Sequence, residues 1–423
     1  MDSSHIPQLF LVIGLIIAGA QLAGAGARAW GQPRVFGELL VGIALGPTLM
    51  DLLHWRVFAD PELLAVTIEE LAELGVLFLM FTVGLEVHLR ELLEVGRVAI
   101  WGGVLGALLP VVLSAPAVLL FDFSREEAIF AGVVLAATSV SISAQTLLEL
   151  GLLRTKEGIG LLATAVVDDI LAILLLSVVI ATMAPETHTS AGGLVWIFAR
   201  MALYLLSALA LAWYVLPPLF NRIFRSRRLT SSTASFALIA ALVFGWSANV
   251  LGGMAAITGA FIAGVGLSHT AERPRAQIGE TVQHISYAFL VPIFFVNVGL
   301  HADLTEIGRD LLPLALLLLV IAVGSKMLGS AAGARLGGFG RGESFRLGVC
   351  MISRGEVGLI IAALGLTEGL LTEELFETTF LVILLTTVMT PPLVRWVFKG
   401  RQPEALRGAE RQAAREEAGA KHA

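Results

Sequence analysis

Charge is scarce in this chain. Lys, Arg, Asp and Glu supply 15% of its 423 residues, against about 25% in an ordinary soluble domain. The shortage argues against a water-soluble globular protein of this size, whose outer surface is where such side chains belong. Cysteine is scarcer still. Cys350 is the only one, so no disulfide can form within the chain. The opening MDSSHIPQ contains no Lys or Arg, so the apolar run behind it is expected to stay as a span and not to leave as a signal peptide. No G-x-G-x-x-G follows a strand-like run, and nothing therefore supports a nucleotide-binding domain.

Apolar residues fill the space that charge leaves. They make up 57% of the chain, and the mean hydropathy is +0.85. A membrane span needs about 20 mostly apolar residues. Thirteen such runs are predicted, at about 7–27, 34–51, 66–87, 98–120, 128–150, 157–182, 194–220, 231–249, 252–268, 283–300, 311–334, 345–366 and 375–398. The fold class expected is an all-α polytopic membrane protein of 13 transmembrane helices. Residues 399–423 form a charged tail. With the N-terminus outside, the six cytoplasmic loops hold fourteen Lys and Arg residues, and the outer loops hold three, Arg56, Arg125 and Arg309. That asymmetry follows the positive-inside rule, with the C-terminus cytoplasmic. The expected location is the cell inner (plasma) membrane.

The chain repeats itself weakly. GELLVGIALG (37–46) resembles GAFIAGVGLS (259–268), and FLMFTVGLEVHL (78–89) resembles PIFFVNVGLHADL (292–304). Six spans, a linking seventh and six more would explain this offset. Six is even, so the odd linker inverts the second half, the plan of many secondary transporters.

Asp168 and Asp169 lie side by side in ATAVVDDILAILLLSVV, near the middle of the sixth span. One Asp at that depth costs roughly 2.5–3.5 kcal/mol on an insertion scale. Adjacent helical residues point about 100° apart, so the two carboxylates cannot share one role. A single structural salt bridge explains one Asp and not both. Lys326, in AVGSKMLGSAAGA, is the only lysine inside a span. Snorkelling to the interface is one reading. The small residues around it favour burial and pairing with an Asp.

Two spans carry polar interruptions. The fifth holds AATSVSISAQ, whose Thr138, Ser139, Ser141 and Ser143 weaken a helix and offer oxygens. Ordinary back-bonding in a continuous helix is the plainer alternative. The twelfth holds MISRGEVGLI, with Arg354 and Glu356 around Gly355 at mid-depth, a pattern that marks a broken helix. In the six-plus-six plan these two spans are mates. Arg354 and Glu356 are expected to offset half-helix dipoles or each other. Glu38, Glu86, His88, Asn249 and Asn297 are read as interfacial or helix–helix contacts. Carboxylate, hydroxyl and carbonyl oxygens suit a small monovalent cation, whereas a divalent ion takes more carboxylates.

FGELLVGIALGP, ELGVLFLMFTVGLE, AATSVSISAQTLLELG, AVVDDILAILLLS, VPIFFVNVGL, GSKMLGS and MISRGEVGLIIAALGL together resemble the bacterial monovalent cation:proton antiporters of the second family, closest to the electrogenic Na⁺/H⁺ (NapA-like) subgroup. The resemblance covers residues 7–398. It implies an NhaA-like fold with two crossing broken helices and elevator-type exchange of Na⁺ or Li⁺ for protons. The core would hold about 66–182 and 283–398, the dimerisation helices about 7–51 and 231–268, and the linker about 194–220. Asp169 would be the main cation and proton ligand. Asp168 would pair with Lys326, and both carboxylates would serve as the Na⁺ site. Thr138, Ser139, Arg354 and Glu356 would sit at the breaks. SVSISAQ departs from the family pattern, which more often has a Gly there.

The implied partners are the lipid bilayer and a second copy of the chain, with no nucleic acid, other protein or cofactor, and the protein is not expected to be an enzyme. A K⁺/H⁺ antiporter, or a K⁺ efflux protein without its nucleotide-binding domain, is the near rival. An intramembrane aspartyl protease would need its two Asp residues on different helices, one in a G-x-G-D setting. A channel does not fit inverted halves.

Overall fold

The computed structural model describes residues 5–183, 191–225, 233–301 and 311–400. Among them every regular element is a helix, and none is a strand. The helices are α1 (His5–Ala29), α2 (Arg34–Leu45), α3 (Pro61–Glu86), α4 (Leu89–Glu94), α5 (Gly96–Leu119), α6 (Arg125–Ala136), α7 (Val140–Glu149), α8 (Lys156–Met183) and α9 (Ala191–Tyr214). They continue with α10 (Leu216–Arg225), α11 (Thr233–Ser247), α12 (Ala256–Leu267), α13 (Glu272–Ile285), α14 (Val291–Leu300), α15 (Leu312–Leu336), α16 (Arg341–Cys350), α17 (Glu356–Thr367) and α18 (Glu373–Val397).

Each of the thirteen expected runs holds helix. Among the described residues, nine helices are long and apolar enough to cross a membrane, and Ala256–Leu267 and Val357–Thr367 are shorter apolar ones. Polar caps mark several starts. Asp60 accepts a hydrogen bond from the Leu63 N–H at 3.1 Å at the head of α3. Ser124 and Glu127 exchange bonds of 3.2 and 2.8 Å at the head of α6. Each satisfies amides that the helix itself leaves unpaired.

The helices pack as two groups. One, the core, joins α5–α8 with α15–α18; the other, the frame, joins α1–α3 with α9–α14. Two segments expected in the core, 66–87 and 283–300, pack in the frame instead. The reason is the close approach of paired glycines. A Cβ on Gly84 would run into the Phe261 carbonyl of α12, and one on Gly264 into the Phe81 carbonyl of α3. Gly42 and Gly299 meet in the same way where α2 crosses α14. Small residues let membrane helices approach to backbone contact. In the core, α5 and α15 likewise meet at Gly333, which abuts the Trp101 carbonyl. Gly264→Ala is therefore expected to lower thermal stability, by about 1–3 kcal/mol as an overpacked contact. Gly324→Ala, with nothing within 4 Å of the added Cβ, should melt like the parent. Thermal unfolding in detergent compares the two.

Polar side chains bridge core and frame near the ends of α7 and α8. The Arg34 amide donates to Glu149 Oε2 at 2.6 Å, and the Tyr287 hydroxyl donates to Gln145 Oε1 at 2.7 Å. Arg154 donates to the carboxylate of Glu86 at 2.7 Å and to its carbonyl at 2.9 Å. Within the frame Arg34 also pairs with the buried Glu38 at 2.7 Å.

Candidate ion-binding site

Both expected interruptions are present. The fifth run stops being helical between α6 and α7, at residues 137–139, and the twelfth between α16 and α17, at 351–355. The two breaks cross. The Ser139 amide donates to the Ser353 carbonyl at 2.9 Å, and Ser143 Oγ donates to the Cys350 carbonyl at 2.6 Å. Ser139 and Ser141 hydroxyls lie 2.9 Å apart. At Gly355 a Cβ would sit 2.9 Å from the Ser139 side chain, so glycine is what lets the breaks touch.

A broken helix exposes carbonyls at one half-end and amides at the other, with matching partial charges. Two fully buried cations meet the carbonyl ends here. Arg354 donates to the Leu135 carbonyl at 2.7 Å, to the Ile352 carbonyl at 2.9 Å and to the Ala322 carbonyl of α15 at 2.8 Å. Its own carbonyl accepts from Thr387 of α18. Lys326 donates to the Ala136 carbonyl at 2.5 Å and to Asp168 Oδ1 at 2.7 Å. The Lys326–Asp168 pair is buried on both sides. Lys326 therefore does not snorkel. Glu356 begins α17, and its side chain lies outside the described residues.

The 100° between neighbours on α8 separates the two carboxylates. Asp168 faces α6 and α15 inside the core. Asp169 faces the frame, where its Oδ2 accepts a hydrogen bond from Thr258 Oγ1 of α12 at 3.2 Å. Asp169 and Thr258 supply the acidic and hydroxyl groups of a small cavity between α3, α7, α8 and α12, otherwise lined by apolar groups such as Met80, Leu162 and Phe261. Thr138 Oγ1, Ser353 Oγ and Asp168 Oδ2 are buried without a hydrogen-bond partner among the described residues. The crossing thus holds two carboxylates, unspent hydroxyl and carboxylate oxygens, and fixed cations that balance them. Among the described residues no three His, Cys, Asp or Glu side chains gather as a metal site. Thr258 carried no signal in the sequence, since one Thr among small residues is ordinary helix packing.

Residues 12–400 match the family described as sodium/hydrogen exchanger, transmembrane. The Na(+)/H(+)-K(+) antiporter GerN of Bacillus cereus is 35% identical over 95% of this chain and 99% of its own. A Na(+)/H(+) antiporter of Enterococcus hirae is 30% identical over 92% of this chain and 97% of its own. In fold, the chain is similar to the sodium proton antiporter MjNhaP1 of Methanocaldococcus jannaschii, with a TM-score of 0.68 at 15% identity, over 94% of this chain and 98% of that one. The chain is a membrane protein of the sodium/hydrogen exchanger family.

Proposed function

We propose that the protein exchanges Na⁺ or Li⁺ for protons across the membrane, moving net charge, with Asp169 as the exchanging carboxylate. The observation that carries this reading is the split of the Asp pair: Asp168 is held by Lys326 at 2.7 Å, and Asp169 lies at the seam between core and frame. A carboxylate binds a proton or a cation but not both. Competition for one such group under alternating access gives exchange. Displacing Lys326 from Asp168 provides a second proton, so two protons against one Na⁺ would carry charge.

The proposal includes thirteen spans in two inverted sets of six, with the N-terminus outside. Gly42 and Gly264 hold equal places in the two matching decapeptides, and Gly84 and Gly299 hold equal places in V-G-L. The α2–α14 and α3–α12 crossings join these very residues, as halves related by a pseudo-two-fold axis would. The eight helices of the core are taken as the moving body and the frame as the fixed one, in an elevator motion along the seam. The frame is also the part proposed to pair with a second copy.

Reconstituted vesicles with a pH dye and a potential dye test the reading. An imposed Na⁺ gradient is expected to move protons, and an imposed potential to change the rate. Insensitivity to potential would remove the electrogenic part. Exchange driven by K⁺ alone would favour the K⁺/H⁺ antiporter reading, which the K(+) in the name of the B. cereus relative keeps in view.

A further inference from the structure

Asp169 has a polar neighbour across the seam that the exchange reading does not use. Thr258 lies in the first turn of α12, and its backbone amide donates to the Ala255 carbonyl at 3.0 Å. It is 4% exposed, and Asp169 is 8% exposed. Its hydroxyl donates to Asp169 Oδ2 at 3.2 Å. The two groups belong to different bodies, α8 of the core and α12 of the frame. The glycine contacts of α12 on α3 fix where the hydroxyl stands. The remaining walls, among them Met80, Val140, Ile257 and Phe261, are apolar. The space between is about 20 Å³, room for about one water-sized particle.

We propose that Thr258 is a cation-positioning residue, a hydroxyl ligand presented by the frame to whatever ion Asp169 carries past it. A small cation entering this cavity meets one carboxylate, the Thr258 hydroxyl and otherwise apolar side chains. Partly stripped of water, it needs further oxygens, because hard cations are held by several. In the unloaded state the Thr258 hydroxyl hydrogen-bonds Asp169. In the loaded state the same oxygen turns a lone pair to the cation, and its proton can turn to a backbone carbonyl three or four residues back, the usual local alternative for Thr. A proton on Asp169 needs no such ligand, so Thr258 tips the competition towards the cation.

The inference rests on the exchange reading of Asp169, and its test separates the two. Thr258→Val keeps the shape and removes the oxygen; Thr258→Ser keeps the oxygen. In vesicles, Thr258→Val is expected to raise the apparent KM for Na⁺ about tenfold, the weight of one hydrogen-bond-strength contact to a charge, with kcat within about twofold. Thr258→Ser should stay near the parent. Sodium-dependent thermal stabilisation in detergent should show the same weakening for Thr258→Val without relying on transport. If the parent moves no protons, the exchange reading fails, and the stabilisation assay still decides the role of Thr258. Parental KM and parental sodium midpoint in Thr258→Val would overturn the inference, as would equal impairment of the Val and Ser variants. Thr258→Ala replaces Thr258→Val should the latter not purify as a folded protein.

Discussion

Asp169→Asn is expected to reduce sodium-driven proton movement to the level of empty vesicles, with the protein still folded. Asparagine keeps the shape and leaves an amide oxygen for the Thr258 hydroxyl, which now donates to Asp169. It removes the negative charge and the titrating proton together, and exchange by competition needs both. Folding should not suffer. Removing one buried charge is costly when it strands a partner, and the nearby ammonium of Lys326 is committed to Asp168 at 2.7 Å. Melting in detergent is therefore expected to match or exceed the parent. Parental transport rates in Asp169→Asn would make the pair structural and end the proposal. A drop in melting without a transport defect would point the same way.

Lys326→Ala is expected to produce the largest loss of stability. Lys326 is fully buried and serves two groups, the Asp168 carboxylate and the Ala136 carbonyl at the end of α6. Its removal leaves a fully buried carboxylate and a half-helix end without their cation. Breaking a buried pair from one side costs about 3–5 kcal/mol. Replacing both partners together, as Lys326→Leu with Asp168→Leu, should recover much of that, because apolar pairs of similar volume are often no worse than buried ion pairs. The two variants also separate stability from charge. Either one removes the proposed second proton, so the response to membrane potential should change in both, while only the single variant melts early. Parental melting of Lys326→Ala would mean that the bridge contributes nothing to the fold.

What could be read from residues alone divides along a physical line. Asp168, Asp169, Lys326 and Arg354 stood out because a charge in an apolar run is expensive enough to need a reason. Gly355 between charged neighbours marked one break, and the Thr–Ser cluster marked the other. Partners made of backbone left no trace. The carbonyls of Leu135, Ala136 and Ala322, which receive Arg354 and Lys326, belong to residues chosen for other purposes. Thr258 reaches Asp169 across 89 positions, and nothing local to it announces that contact. The grouping of α3 and α14 with the frame was equally hidden. It depends on which glycine faces which carbonyl, a pairing that the matching segments alone do not reveal.

The two bodies are fastened differently from the boundary between them. Within the frame, and again between α5 and α15, backbone presses on backbone at glycines. A joint of that kind has no rotamers to reshuffle, so it yields little before it fails. The boundary closes through long side chains, Arg154 on Glu86 and Tyr287 on Gln145, which can release and take hold again. On the proposed elevator motion, this boundary is the compliant part and the two groups the stiff ones. A bilayer that thickens or thins loads the whole molecule at a modest cost per ångström of mismatch, and that load is taken up where the material is softest. Lipid thickness should then tune the speed of the proposed exchange well before it threatens the fold.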